Sequence, residues 1–98
     1  MDREPRILAI DDVPDNLLLL CDLLEERGYH VSIASNVQVA LKNINNTPPD
    51  LILLDICMPG MSGYRMASQL KSDPKTKEIP IIFVSILEDA HLKVKAFR

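Results

Sequence analysis

Asp11, Asp12 and Asp55 are the residues whose type and placement point first to chemistry. The pair Asp11-Asp12 directly follows the apolar run Ile7-Leu8-Ala9-Ile10, and Asp55 directly follows Leu51-Ile52-Leu53-Leu54. If both runs are strands of one sheet, three carboxylates gather beyond its middle, where they repel unless a cation sits among them. Short carboxylates offer only oxygen, which suits a hard cation, and Mg²⁺ in particular takes few protein ligands while keeping several waters. A further apolar run, Ile79-Pro80-Ile81-Ile82-Phe83-Val84, leads into Ser85 and brings a hydroxyl to the same level. A plainer reading also fits: Asp12 caps a helix that opens at Pro14, and Asp55 merely ends a strand. Residue types alone leave the two readings open. Other chemistries are disfavoured. Asp11-Asp12-Val13-Pro14 contains no glycine and cannot act as a phosphate-cradling loop, which argues against a nucleotide site. Cys21, Cys57, His30 and His91 are scattered, without the paired spacing of zinc ligands.

Positioning these residues requires a sheet, and the apolar pattern supplies one. Solid apolar runs are the mark of strands covered on both faces, as in a parallel sheet flanked by helices. Val31-Ser32-Ile33-Ala34 alternates instead and reads as an edge strand. Between the runs lie helical stripes. Residues 14–27 place Leu17, Leu20, Cys21 and Leu24 on one face, while Leu18, Leu19 and Leu23 widen that face towards a second neighbour. Pro14 suits the first helical position and Gly28 the stop. Residues 36–46 carry Val37, Ala40, Leu41 and Ile44 at helical spacing. Ser62 is a candidate cap for a third helix with Met66, Ala67 and Leu70 inward and Pro74 as its stop. A fourth helix is expected from about Glu88 to the end, with Leu92, Ala96 and Phe97 inward. Strands beginning near residues 6, 30, 50 and 79 thus alternate with helices. Such alternation implies right-handed crossovers and a doubly wound α/β sheet, whose ligands sit beyond the carboxyl ends of the strands.

Composition narrows the setting. The chain has 98 residues, enough for one small domain, and its 47% hydrophobic content is too high for a disordered segment. A net charge of −3 argues against a duplex-DNA binder held by phosphate contacts. The charge is segregated, with ten acidic and four basic residues through Asp55 and four acidic and seven basic after it. That segregation is either a solvated surface or the trace of acids converging on one cation. The longest apolar run, Leu17 to Cys21, falls far short of the ~20 residues that span a bilayer. The charged Met1-to-Arg6 segment is unlike a secretory signal, and two cysteines suit a reducing cytosol. A cytoplasmic domain without membrane or nucleic-acid contact is the expectation.

Combined motifs carry a family resemblance. Leu8-Ala9-Ile10-Asp11-Asp12-Val13-Pro14-Asp15-Asn16 resembles the opening of a response-regulator receiver domain. Leu51-Ile52-Leu53-Leu54-Asp55-Ile56-Cys57-Met58-Pro59-Gly60-Met61-Ser62-Gly63 resembles the family's phospho-acceptor segment, and Ile79 to Ser85 its fourth strand ending in the switch hydroxyl. Ala40-Leu41 matches its second helix. The resemblance covers the whole chain, residues 1–98, in register. It implies a flavodoxin-like sheet in the order 2-1-3-4, and a phosphorylatable switch of a two-component phosphorelay rather than a turnover enzyme. Asp55 would accept a phosphoryl group from a sensor histidine kinase or phosphotransfer protein. Mg²⁺ would be held by Asp11, Asp12, Asp55 and the backbone carbonyl of Cys57, with Asp12 direct and Asp11 mainly through water. Ser85 would bond a phosphate oxygen and move with it.

Two departures from the family pattern carry expectations of their own. Four strand–helix units fill the 98 residues, so the family's fifth unit, with its lysine and its aromatic switch residue, is expected to be absent. Lys93 and Lys95, placed on the presumed fourth helix, are not substitutes. Ile86 stands where the family usually keeps a small residue after the hydroxyl and would crowd the approach to Asp55, unless it turns aside. Without the fifth unit, strand four becomes an open apolar edge and helix one loses a neighbour. Self-association through that edge or by helix exchange follows as an expectation. The alternative function is a pseudo-receiver, an interaction or dimerisation module that is not phosphorylated. An aspartyl-nucleophile phosphatase fails because position 57, where it needs a second acid, is Cys57.

Overall fold

The computed structural model describes residues 4–55, 63–86 and 92–97, with 85–86 and 92–97 described by their backbone alone. The chain runs β1 (Arg6–Ile10), α1 (Pro14–Glu25), β2 (His30–Ala34), α2 (Val37–Asn46), β3 (Leu51–Asp55), α3 (Gly63–Ser72), β4 (Ile81–Ile86) and β5 (Leu92–Phe97). The sheet order is β2-β1-β3-β4-β5. Its first four strands are parallel, so the expected doubly wound order 2-1-3-4 is the observed one.

Solid apolar runs arise because alternate side chains enter two different cores. From β1, Ile7 and Ala9 join Leu17, Leu20, Leu53 and Val84 on the α1 face. Leu8 and Ile10 point the other way, with Ala40, Ile44, Met66 and Leu70 of α2 and α3. β2 pairs only with β1 and forms one edge, as its alternating pattern predicts. The inward residues expected of α3, Met66, Ala67 and Leu70, are buried. On α2, Ala40 and Ile44 are buried, whereas Leu41 is left exposed.

The turn that closes α1 uses a glycine, Gly28, because of its backbone. Tyr29 N–H donates to the Leu24 carbonyl at 3.2 Å and Gly28 N–H to the Glu25 carbonyl at 3.0 Å. This pair of bonds closes a helix through a residue in the left-handed region, and Gly28 has φ +90°. Beyond α3, the Thr76 hydroxyl donates to the Leu70 carbonyl and Lys71 Nζ to the Ile79 carbonyl at 2.8 Å, tying the helix end to the entry of β4.

The chain's end differs from expectation. Residues 92–97 form a strand antiparallel to β4, not part of a helix from Glu88. Leu92-Lys93-Val94-Lys95-Ala96-Phe97 alternates apolar with basic, which is strand periodicity, and the β4 edge supplies hydrogen-bonding partners that a helix would leave unpaired. Strand four is therefore not an open edge: β3 lies on one side and β5 on the other. Lys93 lies across from Ser85 and Lys95 across from Phe83. The uncovered flank expected of α1 is observed. Leu18 is 59% exposed, Leu19 and Leu23 are exposed beside it, and a 370 Å³ groove opens between α1 and the β3–β4 face.

Candidate metal centre

Register alone brings the acids together. Ile10 pairs with Leu54, so Asp11 follows β1 at the level where Asp55 closes β3. Asp55 in turn pairs with Val84, which puts Ser85 one residue further along β4. Asp11, Asp12 and Asp55 each offer a carboxylate oxygen within 4.8 Å of the others. Asp11 is buried, while Asp12 and Asp55 are half-buried, so the cluster opens to solvent on one side.

Asp11 is held by its backbone and by both carboxylate oxygens. Its backbone N–H donates to the Ala34 carbonyl of β2 at 3.1 Å. Its Oδ1 accepts from Val13 N–H at 2.9 Å, and its Oδ2 accepts from Asn16 Nδ2 at 3.1 Å. Burial raises the Asp11 carboxyl above its ordinary value; the Val13 and Asn16 donors pull it back down, and the neighbouring Asp12 raises it again. The net direction is upward, with burial the largest single cause.

Asp12 does not cap α1. The N-cap is Val13, with no side-chain cap bond, and Pro14 takes the first helical position. Pro14 has no N–H to satisfy, and the Val13 N–H goes to Asp11, so the carboxylate pair remains turned to the cluster. The capping role thus gives way to the cation reading.

The donor set fits a small hard cation: three carboxylates, oxygen only, with an open side where waters complete the shell. Three anionic groups this close are otherwise mutually destabilising. Ser85 lies on β4 at the right level, with its side chain outside the described residues. Cys57, whose carbonyl was expected in the metal shell, also lies outside them, as do Met58, Pro59 and Ser62. The sequence motif includes Asn16 without showing what it does; the geometry assigns it to Asp11. Its signal was available in principle, because Asn in the first turn of a helix that follows an acidic pair is a donor in reach.

Comparison with known proteins adds to this geometry. The family model described as response regulator receiver domain matches residues 7–98. Response regulator PleD of Caulobacter vibrioides is 41% identical over 83 residues, covering 85% of this chain and 18% of PleD. Sensor histidine kinase GacS of Pseudomonas protegens is 40% identical over 83 residues, covering 82% of this chain and 9% of GacS. The chain therefore spans less than a fifth of either relative's length. Among solved structures, the N-terminal domain of a response regulator receiver protein from Methanoculleus marisnigri superposes with a TM-score of 0.79 at 34% identity. That match covers 87% of this chain and 72% of the other.

Proposed function

Because this chain belongs to the response regulator receiver family, we propose that it is a phosphorylatable switch in a two-component phosphorelay, with Asp55 as the acceptor. The observation that carries this reading is the convergence of Asp11, Asp12 and Asp55 at the carboxyl ends of β1 and β3. Such domains occur in proteins named as response regulators and as sensor histidine kinases, which supports a histidine kinase or phosphotransfer protein as the donor. They are signalling modules rather than turnover enzymes. No helix among the described residues is long and apolar enough to cross a membrane. We place the domain in the cytoplasm, where such kinases present their phosphohistidine.

In this reading an Asp55 carboxylate oxygen attacks the phosphorus of a phosphohistidine. The new O–P bond forms as the P–N bond breaks, and the imidazole leaves with the electron pair. Asp11, Asp12, Asp55 and the Cys57 carbonyl would hold Mg²⁺, which neutralises charge on the transferring group. Asp55 ends a strand fixed on both sides, by β1 and β4, so its approach is set by the sheet. Ser85 supplies a hydroxyl to the phosphorylated form and shifts the surface around β4 with it.

The experiment is exposure of the chain to a small phosphodonor with Mg²⁺. A mass gain of one phosphoryl group is expected, lost in Asp55→Asn with the fold intact. Labelling that persists in Asp55→Asn would assign the acceptor to another residue.

A second reading, an interaction module that self-associates, is favoured by the α1 groove, which Leu23 lines, and by the exposed Leu18 and Leu19 on the same helix. Its route is the α1 face, since β5 occupies the β4 edge.

A further inference from the structure

Both oxygens of the Asp11 carboxylate are engaged by donors of the chain itself. The Val13 donor is a backbone N–H and comes with almost any residue at that position. The Asn16 donor is a side chain, so this half of the arrangement depends on sequence. Asn16 is half-buried in the first turn of α1, where its own N–H already bonds the Val13 carbonyl at 3.1 Å. Pro14 at the first helical position fixes the local backbone, giving the Asn16 side chain a fixed origin. Asp11 is 3% exposed, so water has little room to replace the amide.

A carboxylate has about four lone-pair sites, and two donors leave one available on each oxygen. Without Asn16, Oδ2 loses its donor and the carboxylate, held only through Oδ1 by the Val13 N–H, can pivot away from Asp12 and Asp55, whose charges repel it. A neutral amide orients the anion without cancelling its charge. A lysine or arginine at position 16 would orient it too, but would compete with a cation for it.

We propose that Asn16 is a positioning residue that locks the Asp11 carboxylate towards the bound cation, so that residue 16 sets cation affinity rather than the reactivity of Asp55. This deepens the metal reading above and rests on it. Asn16 touches neither the cation nor the phosphoryl group; it acts through Asp11.

The test compares the unmodified chain with Asn16→Leu, which keeps the bulk and removes the donor. Asn16→Ala is the second variant, because alanine secures the helix if leucine disturbs it. In Mg²⁺ titrations followed by amide NMR, affinity is expected to fall roughly 10-fold, the low end of the range for partners of metal ligands. In phosphodonor labelling, the Mg²⁺ concentration for half-maximal rate is expected to rise by the same factor, with the rate at saturating Mg²⁺ unchanged. A metal-free readout accompanies these: the Asn16 side-chain NH₂ resonances should shift in Asp11→Ala. Unchanged or tighter Mg²⁺ binding in both variants overturns the proposal, as does a lower saturated rate without a shift in Mg²⁺ dependence. Insensitivity of the NH₂ resonances to Asp11→Ala overturns it as well. Absence of Mg²⁺ binding by the unmodified chain overturns the metal reading itself, and the proposal with it.

Discussion

Asp11 and Asp12 are adjacent in sequence but differ in role. Asp11 is buried and doubly bonded, whereas Asp12 is half-buried beside it. Asp12→Ala should abolish Mg²⁺ binding near Asp55, because the remaining oxygens would not hold a divalent ion against water. An unchanged Mg²⁺ affinity would show the assignment of Asp12 to be wrong. Asp11 makes a further prediction about pH. Burial foremost raises its carboxyl above the unfolded value, so its contribution to stability is fully present below the ordinary carboxylate range and is lost as pH rises through the raised value. At neutral pH and without metal, an ionised Asp11 therefore destabilises the fold. Asp11→Asn should stabilise the metal-free chain at pH 7, with the gain vanishing towards pH 3. Denaturant midpoints at the two pH values measure it, and equal gains at both would remove charge burial as the cause.

At the scale of elements, strand register does most of the positioning. The Ile10–Leu54 and Asp55–Val84 pairings bring Asp11, Asp55 and Ser85 to one end of the sheet. Helix ends matter where the chain must turn sharply. A Cβ built on Gly28 meets nothing within 4 Å, so the only obstacle to substitution there is the backbone at φ +90°. Gly28→Ala should therefore cost about 1 kcal/mol, the left-handed penalty, with Mg²⁺ affinity unaffected. Urea denaturation checks the cost. A loss of several kcal/mol would mean that packing, not conformation, governs this site.

Among the described residues, a four-stranded parallel sheet is extended by one antiparallel strand and carries a core on each face, the two differing in size. The α2–α3 face holds the larger core. The α1 face keeps a 370 Å³ groove lined in part by the exposed Leu23, and Leu18 and Leu19 are further exposed apolar residues of the same helix. Each such side chain gains roughly 1.5–3 kcal/mol when fully buried, large against the stability of a small domain. The 98-residue chain should consequently self-associate at micromolar concentration in sedimentation experiments, and Leu19→Glu should return it to the monomer. A folded, monomeric unmodified chain would be the contrary result.

Sequence by itself determined the parallel sheet, the strand-end acids and the inward faces of α1 and α3, because solid apolar runs and period-3.6 stripes report burial directly, while the strand order followed from the family resemblance. The tertiary structure decided three things that local pattern does not encode. Asp12 lies in the carboxylate cluster and does not cap the helix, because Val13 and Pro14 already settle the start of α1. Asn16 gains its role only when α1 folds back over the end of β1 and brings its amide to Asp11. Residues 92–97 alternate as a strand would, but only the fold shows where that strand goes: the β4 edge offers it hydrogen bonds in space, antiparallel, and nothing read along the chain names β4 as the partner.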